Sequence, residues 1–323
     1  VDDLSKWGLY CFCLGARSTP HHVVEMDDNG RVLFHAREGT TRAELREHGI
    51  EPLESQLALL RAYGLLTVEG DRLTTAFPVL GPAEMESLRA RVKPLAEKIV
   101  PEILADVSAI VDSLASAYGV LFGYVIDGLL WDRFRAVAAL PGTELTLDRP
   151  YWNGAFWASY PPRAGATGTN EVAGAGAALT MVWTDPTVRA LNRLADAPAL
   201  RSALDRGELP LGPVTTSAGE EWRLTGDDGE PAIPVIRRED PVHEHGSRVA
   251  DAIASALLRE LPAFGPQWGE ATLLIVAHEL IWDLMAMLEA AGVVDRPVTF
   301  DDPAATPDAL RAHLFVTVLP GAG

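Results

Sequence analysis

The most regular pattern of apolar and polar positions lies in Arg31–Leu80. RVLFHA reads as a short helix or the end of one. In TTRAELREHGI, Thr40 or Thr41 caps a helix, and Glu44, three residues after Thr41, completes a capping box. Gly49 ends that helix. In EPLESQLALLRAYG, Pro52 suits a first helical turn. Leu53, Leu57, Leu60 and Tyr63 recur at helical spacing, and Gly64 stops the helix. LLTVEGDRLTTAF then alternates with period two around Gly70-Asp71, which predicts a hairpin.

A helix, a turn, a second helix and a hairpin entered through Gly-Leu-Leu resemble the winged-helix family, as in many bacterial transcriptional regulators. The resemblance covers about fifty residues, 31–80. It implies that the second helix enters a DNA major groove and that the hairpin is the wing. Gln56, Arg61 and wing Arg72 are then the residues to contact DNA. The stretch carries six arginines against seven acids, and its second helix begins with Glu51 and Glu54. DNA affinity rests mainly on phosphate neutralisation. This balance therefore favours a winged helix used for packing or for a protein partner.

The chain also echoes itself. EGDRLTTAFPVL at Glu69–Leu80 matches TGDDGEPAIPVI at Thr225–Ile236 without a gap, at an offset of 156. DGLLWDRF at Asp127–Phe134 matches HELIWDLM at His278–Met285, and FWASYP at Phe156–Pro161 matches FVTVLP at Phe315–Pro320. A long Ala/Leu/Val-rich helix precedes each tryptophan, at Ala83–Ala117 and Ser247–Leu261. PTVRALNRLADAPALRSALDRGELP would be a degenerate helix pair in the second copy. Collinear repeats decide architecture. The expected fold is α+β and helix-rich: two pseudo-repeated halves, 1–162 and 163–323, each with a winged-helix-like unit, long helices and a closing strand. Arg163–Leu179, rich in small residues, reads as a linker or ordered loop at the join.

Length and charge narrow the function. A chain of 323 residues makes about two domains. A formal net charge of −18 disfavours nucleic acid and anionic lipid. No segment is expected to span a membrane; the best, Val120–Trp131, is short and broken by Asp127. VDDLSKW lacks a signal-peptide layout, so a cytoplasmic location is the expectation. The two cysteines, Cys11 and Cys13, alternate with Tyr10, Phe12 and Leu14 and share one strand face. They read as small packed residues or as a metal or redox pair.

Three stretches carry candidate chemistry. His278-Glu279 opens like a zincin helix, but its fourth position is Trp282, which cannot ligate zinc. Asp283 lies about 140° around the helix from His278. Glu279 and Asp283 share a face that could hold a divalent cation or act as an acid/base couple. The bland reading is one polar stripe on an apolar helix. His243 and His245, placed in a loop before the second long helix, would put both rings on one side if extended. Tyr151, Trp152, Asn153, Trp157 and Tyr160 could line a pocket, or simply pack a central strand. Phe156, Ala158 and Tyr160 would share one face there.

These readings define two functions. The first is a cytoplasmic regulatory or accessory protein binding a small molecule or protein partner, with no certain cofactor. The second is a metal-dependent enzyme with a site between the halves, His278 and Glu279 acting as catalytic residues and His243, His245 and His278 holding the metal.

Overall fold

The computed structural model describes residues 1–13, 19–138, 140–209 and 211–319; Leu14 and Pro320 lie outside them. The fold is α+β, with more residues in helix than in strand and several small sheets. The chain divides into two compact units. Unit 1 comprises Val1–Arg91, Ala139–Ala164 and Pro262–Ala277. Unit 2 comprises Val92–Ala138, Gly165–Leu261 and His278–Gly323.

In unit 1, β1 (Gly8–Phe12) leads to helices α1 (Pro20–Glu25) and α2 (Asn29–Ala36). A two-residue strand β2 (Thr40–Thr41) precedes α3 (Arg42–Glu47) and α4 (Glu54–Ala62). The hairpin β3 (Leu66–Glu69) and β4 (Arg72–Thr75) follows, turning on Gly70-Asp71 with Gly70 at φ +64°. β2 joins this hairpin in the order β2-β4-β3. The capping box forms as its residue types require: Thr41 Oγ1 accepts the Glu44 N–H, and Glu44 accepts the Thr41 N–H at 2.7 Å. Pro52 lies before α4 rather than within it, and Leu53 is the cap residue.

β5 (Val79–Leu80) opens into α5 (Pro82–Asp112), which ends five residues earlier than its composition suggests. β6 (Ala155–Ser159) completes a second sheet in the order β1-β6-β5, antiparallel to β1 and parallel to β5. Leu33, Leu45, Leu57, Leu60, Leu73, Trp152, Phe156 and Ala158 belong to one buried cluster, with Tyr160 packed against it. Phe156, Ala158 and Tyr160 therefore do share a face, while Trp157 stacks on Tyr10 at 5.7 Å.

Unit 2 takes most of α5, then a π-helical stretch, Val120–Leu129, running into α6 (Leu130–Val137). Gly123 makes a close approach possible here: a Cβ on it would lie 2.9 Å from Phe315 and 3.0 Å from Val182. β7 (Gly168–Ala173) and β8 (Ala177–Trp183) pair antiparallel, so the stretch read as a linker is a six-residue strand and a tight turn. Its small residues are needed for packing. Trp183 covers Gly168, and the Leu204–Asp205 backbone lies against Gly174.

Helices α7 (Val188–Ala195) and α8 (Pro198–Arg206) fall in the segment read as a degenerate helix pair. They are followed by β9 (Val214–Thr215), β10 (Glu221–Trp222), β11 (Val235–Ile236) and α9 (Pro241–Phe264). Thr225–Ile236 does not repeat the tight turn of its echo. Thr225 bridges Pro231 across five residues, and Asp228 accepts the Glu230 N–H at 3.0 Å.

Next come α10 (Thr272–Ala290), α11 (Pro307–Leu310) and β12 (Leu314–Val318), giving a sheet β11-β12-β8-β7. β12 is antiparallel to β8 and parallel to β11. Among the described residues, the helix long and apolar enough to cross a membrane is Gly269–Ala290, not Val120–Trp131. Of its most apolar window, 78% is buried against protein, as in a core helix.

Candidate functional site

A cleft of about 610 Å³ opens on unit 1, lined by side chains from β1's approach, α2, β5, the start of α5 and the end of β6. Trp7 packs edge-on to Phe34 at 5.9 Å and against Tyr160 at 5.4 Å, and its Nε1 donates to the Val1 carbonyl at 3.1 Å. Phe77 and Val79 complete the apolar wall. Arg37, Glu38 and Glu84 form its charged part. The Arg37 guanidinium sits 3.9 Å above the Phe34 ring. Glu84 accepts the Gly81 N–H at 2.7 Å, which fixes the first turn of α5 at the mouth. Aromatic walls with a few convergent polar groups are the ordinary make-up of a small-molecule site.

Of the five aromatic-stretch residues proposed from sequence, Tyr160 alone lines this cleft. Trp152 is buried, with its Nε1 donating to the Tyr63 carbonyl at 2.8 Å. Trp157 is buried too. Tyr151 is exposed and lies flat against Tyr63 at 5.1 Å. Asn153 spends its amide on its own loop, donating to the Glu144 carbonyl at 2.7 Å and accepting the Gly154 N–H at 3.0 Å. Sequence reasoning missed Trp7, Phe34, Phe77, Arg37 and Glu84. They are scattered along the chain, and only the pairing of β1 and β5 onto β6 gathers them.

In unit 2, His278 is half-buried with its ring 5.2 Å from Trp131 and 5.8 Å from Trp282. The two echoing tryptophans are tethered differently. Trp131 Nε1 donates to Asp127 at 2.6 Å, and Asp127 also accepts from Thr169. Trp282 Nε1 donates to the Thr167 carbonyl at 2.9 Å. At the place of Asp127, His278 thus meets its tryptophan through ring packing. Glu279 is buried beside it.

His243 and His245 do not lie in a loop. Asp240 accepts the Arg237 N–H at 2.7 Å and Pro241 starts α9, so both histidines stand in its first turns. Two residues apart on a helix they point about 200° apart. The shared side that an extended His-x-His would give is lost. His243 Nδ1 lies 2.7 Å from the Tyr124 hydroxyl. Burial, with help from Arg238 and Arg133, holds His243 below the usual histidine range, and burial pushes Tyr124 up to about 12. His245 Nδ1 lies 2.7 Å from Asp106, whose carboxyl the Arg248 guanidinium at 2.8 Å holds below the usual range. Among the described residues, no three His, Cys, Asp or Glu side chains gather as a metal site.

The residues proposed to contact DNA are mostly engaged. Gln56 accepts the Leu53 N–H at 2.8 Å and reaches Asn29 at 3.5 Å. Arg72 donates to the Glu38 carbonyl at 2.8 Å and lies over Gly39. Arg61 is exposed. At the start of α4, Glu54 pairs with Arg42, and Glu51 lies 3.3 Å from Arg46. No family model, curated protein or solved structure matches this chain.

Proposed function

We propose that this chain is a regulatory or accessory protein, built from two related halves, that binds a small molecule or a partner's side chain in the Trp7–Tyr160 cleft. The observation that carries the reading is the cleft itself: an open cleft of about 610 Å³ that brings the rings of Trp7, Phe34, Phe77 and Tyr160 together with the charged groups of Arg37, Glu38 and Glu84.

The element order supports a winged-helix-like module in the first half. Helix α2, strand β2, helices α3 and α4 and the hairpin β3-β4 follow that family's sequence, with the order β2-β4-β3. Packing or protein contact is its preferred use. The net charge is −18, Gln56 caps its own helix, and Arg72 binds a backbone carbonyl. The sheets support the duplication. In each half a strand, a closing strand and a two-residue strand pair as β1-β6-β5 and β8-β12-β11, first antiparallel, then parallel. The two-residue strands, Val79–Leu80 and Val235–Ile236, keep the offset of 156 seen in sequence.

A thermal-shift screen of small organic ligands against the wild type and Tyr160→Ala tests the cleft. The expected result is a ligand that raises the wild-type melting temperature and shifts the variant at least about tenfold more weakly in concentration. Ligands that act equally on both proteins refute the cleft as the site. Salt-sensitive binding to DNA at low salt, weakened by Arg61→Ala, would instead favour a DNA-reading module.

A further inference from the structure

We infer that Cys11 and Cys13 form a reactive dithiol, in which Cys13 attacks a low-molecular-weight disulfide and Cys11 resolves the product into an intrachain bridge. They are the only two cysteines in the chain, and both are free and partly exposed. Cys11 is the fourth residue of the edge strand β1, and Cys13 lies one residue past its end. Both pack against the same core cluster, so their side chains share a face. Positions two apart on one strand face set the two side chains next to each other.

Position divides the roles: Cys11 is held in the β1–β6 ladder, whereas Cys13 stands past its end and is the freer to meet a disulfide. Cys11 is held above the usual thiol range, first by its hydrogen bond to Cys13, then by burial and by the charge on Cys13. Cys13 is held below that range by the same hydrogen bond. Both directions agree with that division, Cys13 being the easier of the two to ionise to the thiolate, the nucleophilic form.

The reaction balances with one co-reactant, a disulfide R–S–S–R such as oxidised glutathione. Cys13 Sγ attacks one sulfur, the S–S bond breaks, and R–S⁻ leaves with the electron pair. The proton of the Cys11 thiol passes to the released R–S⁻. Cys11 Sγ then attacks Cys13 Sγ and expels the second R–S⁻. The two cysteines are oxidised by two electrons and R–S–S–R is reduced to R–SH and R–S⁻.

Backbone geometry makes the bridge reversible. Two residues of extended strand separate the Cα atoms by about 6.6 Å. That is near the upper limit of roughly 6.8 Å that a disulfide spans, so closure carries strain and the bond is readily reduced. Because Cys13 stands beyond β1, its backbone can move without breaking the ladder between β1 and β6.

The test is intact-mass analysis of the reduced full chain exposed to oxidised glutathione, with acid quenching. The expected wild-type product has lost two hydrogens and retains no glutathione. Cys11→Ser should stop at one retained glutathione, and Cys13→Ser should react at least about tenfold more slowly than the wild type. A wild type that keeps one or two glutathiones, or fails to oxidise, overturns the inference, as does an unslowed Cys13→Ser. The wild-type mass alone separates a bridge from an adduct, so a misfolded variant does not remove the test.

Discussion

His313 offers a sharp test of how unit 2 is built. Its ring is fully buried, 4.2 Å from Phe300, with Nδ1 2.9 Å from the Val182 carbonyl and Nε2 2.7 Å from the Thr299 hydroxyl. A carbonyl only accepts, so Nδ1 carries the proton and Nε2 accepts from Thr299. Burial, partly opposed by the Val182 hydrogen bond and reinforced by Arg296, lowers the native pKa from 6.5 to about 4. Above pH 6.5 both native and unfolded histidine are neutral and the group has no effect. As pH falls below 6.5 the unfolded chain binds a proton that the native ring refuses, and stability drops until the ring protonates near 4. At 1.36 kcal/mol per pKa unit the full loss is about 3 kcal/mol, of which about 2 kcal/mol is expressed by pH 5. Urea unfolding of the wild type and His313→Gln, followed by circular dichroism at pH 7.5 and 5.0, isolates this contribution. The wild type should lose about 2 kcal/mol more than the variant across that interval. Equal losses would show that His313 is not held neutral by its surroundings, whatever the variant's absolute stability.

Two further substitutions probe unit 1. Gly154 has φ +140°, and a Cβ on it would lie 1.9 Å from the Phe12 carbonyl oxygen, a backbone atom that cannot swing aside. Gly154→Ala should cost more than about 3 kcal/mol in denaturant unfolding, and a change within about 0.5 kcal/mol would contradict the described approach of β1 to β6. Trp152→Phe keeps an aromatic ring but takes the donor from the buried Tyr63 carbonyl. It should cost about 1–3 kcal/mol, and an unchanged urea midpoint would mean that the carbonyl is satisfied without the indole.

Local signals in the sequence were legible wherever the cause of structure is local. The capping box at Thr41 and Glu44, the turn at Gly70-Asp71 and the period-two alternation of Phe156, Ala158 and Tyr160 depend on neighbours in the chain, and each forms as read. The start of α9 was also written locally, but its signature was passed over. Asp240-Pro241 is a cap followed by a first-turn proline, so the histidines after it belong to a helix. The small-residue stretch Arg163–Leu179 misled because Gly168 and Gly174 answer to distant groups, Trp183 and the backbone of α8, rather than to a linker. The π-helical widening at Val120–Leu129 and the cleft at Tyr160 have no local signature. One involves Gly123 meeting Phe315 and Val182, and the other depends on residues as distant as Trp7 and Tyr160.

The strand order of the first sheet sets a schedule for folding. β6 lies between β1 and β5, yet it is the last of the three to leave the ribosome, more than seventy residues after β5. Until Ala155–Ser159 arrives, β1 and β5 have no common neighbour and each exposes an unpaired edge, the kind of surface through which chains associate wrongly. Closing so long a loop is entropically costly, so the module at 31–80, whose contacts are mostly short-range, should gain protection from hydrogen exchange well before the sheet does. A nascent chain halted before β6 would thus hold a folded helical module beside two unpaired strands, with part of the cleft wall made and Tyr160 still to come.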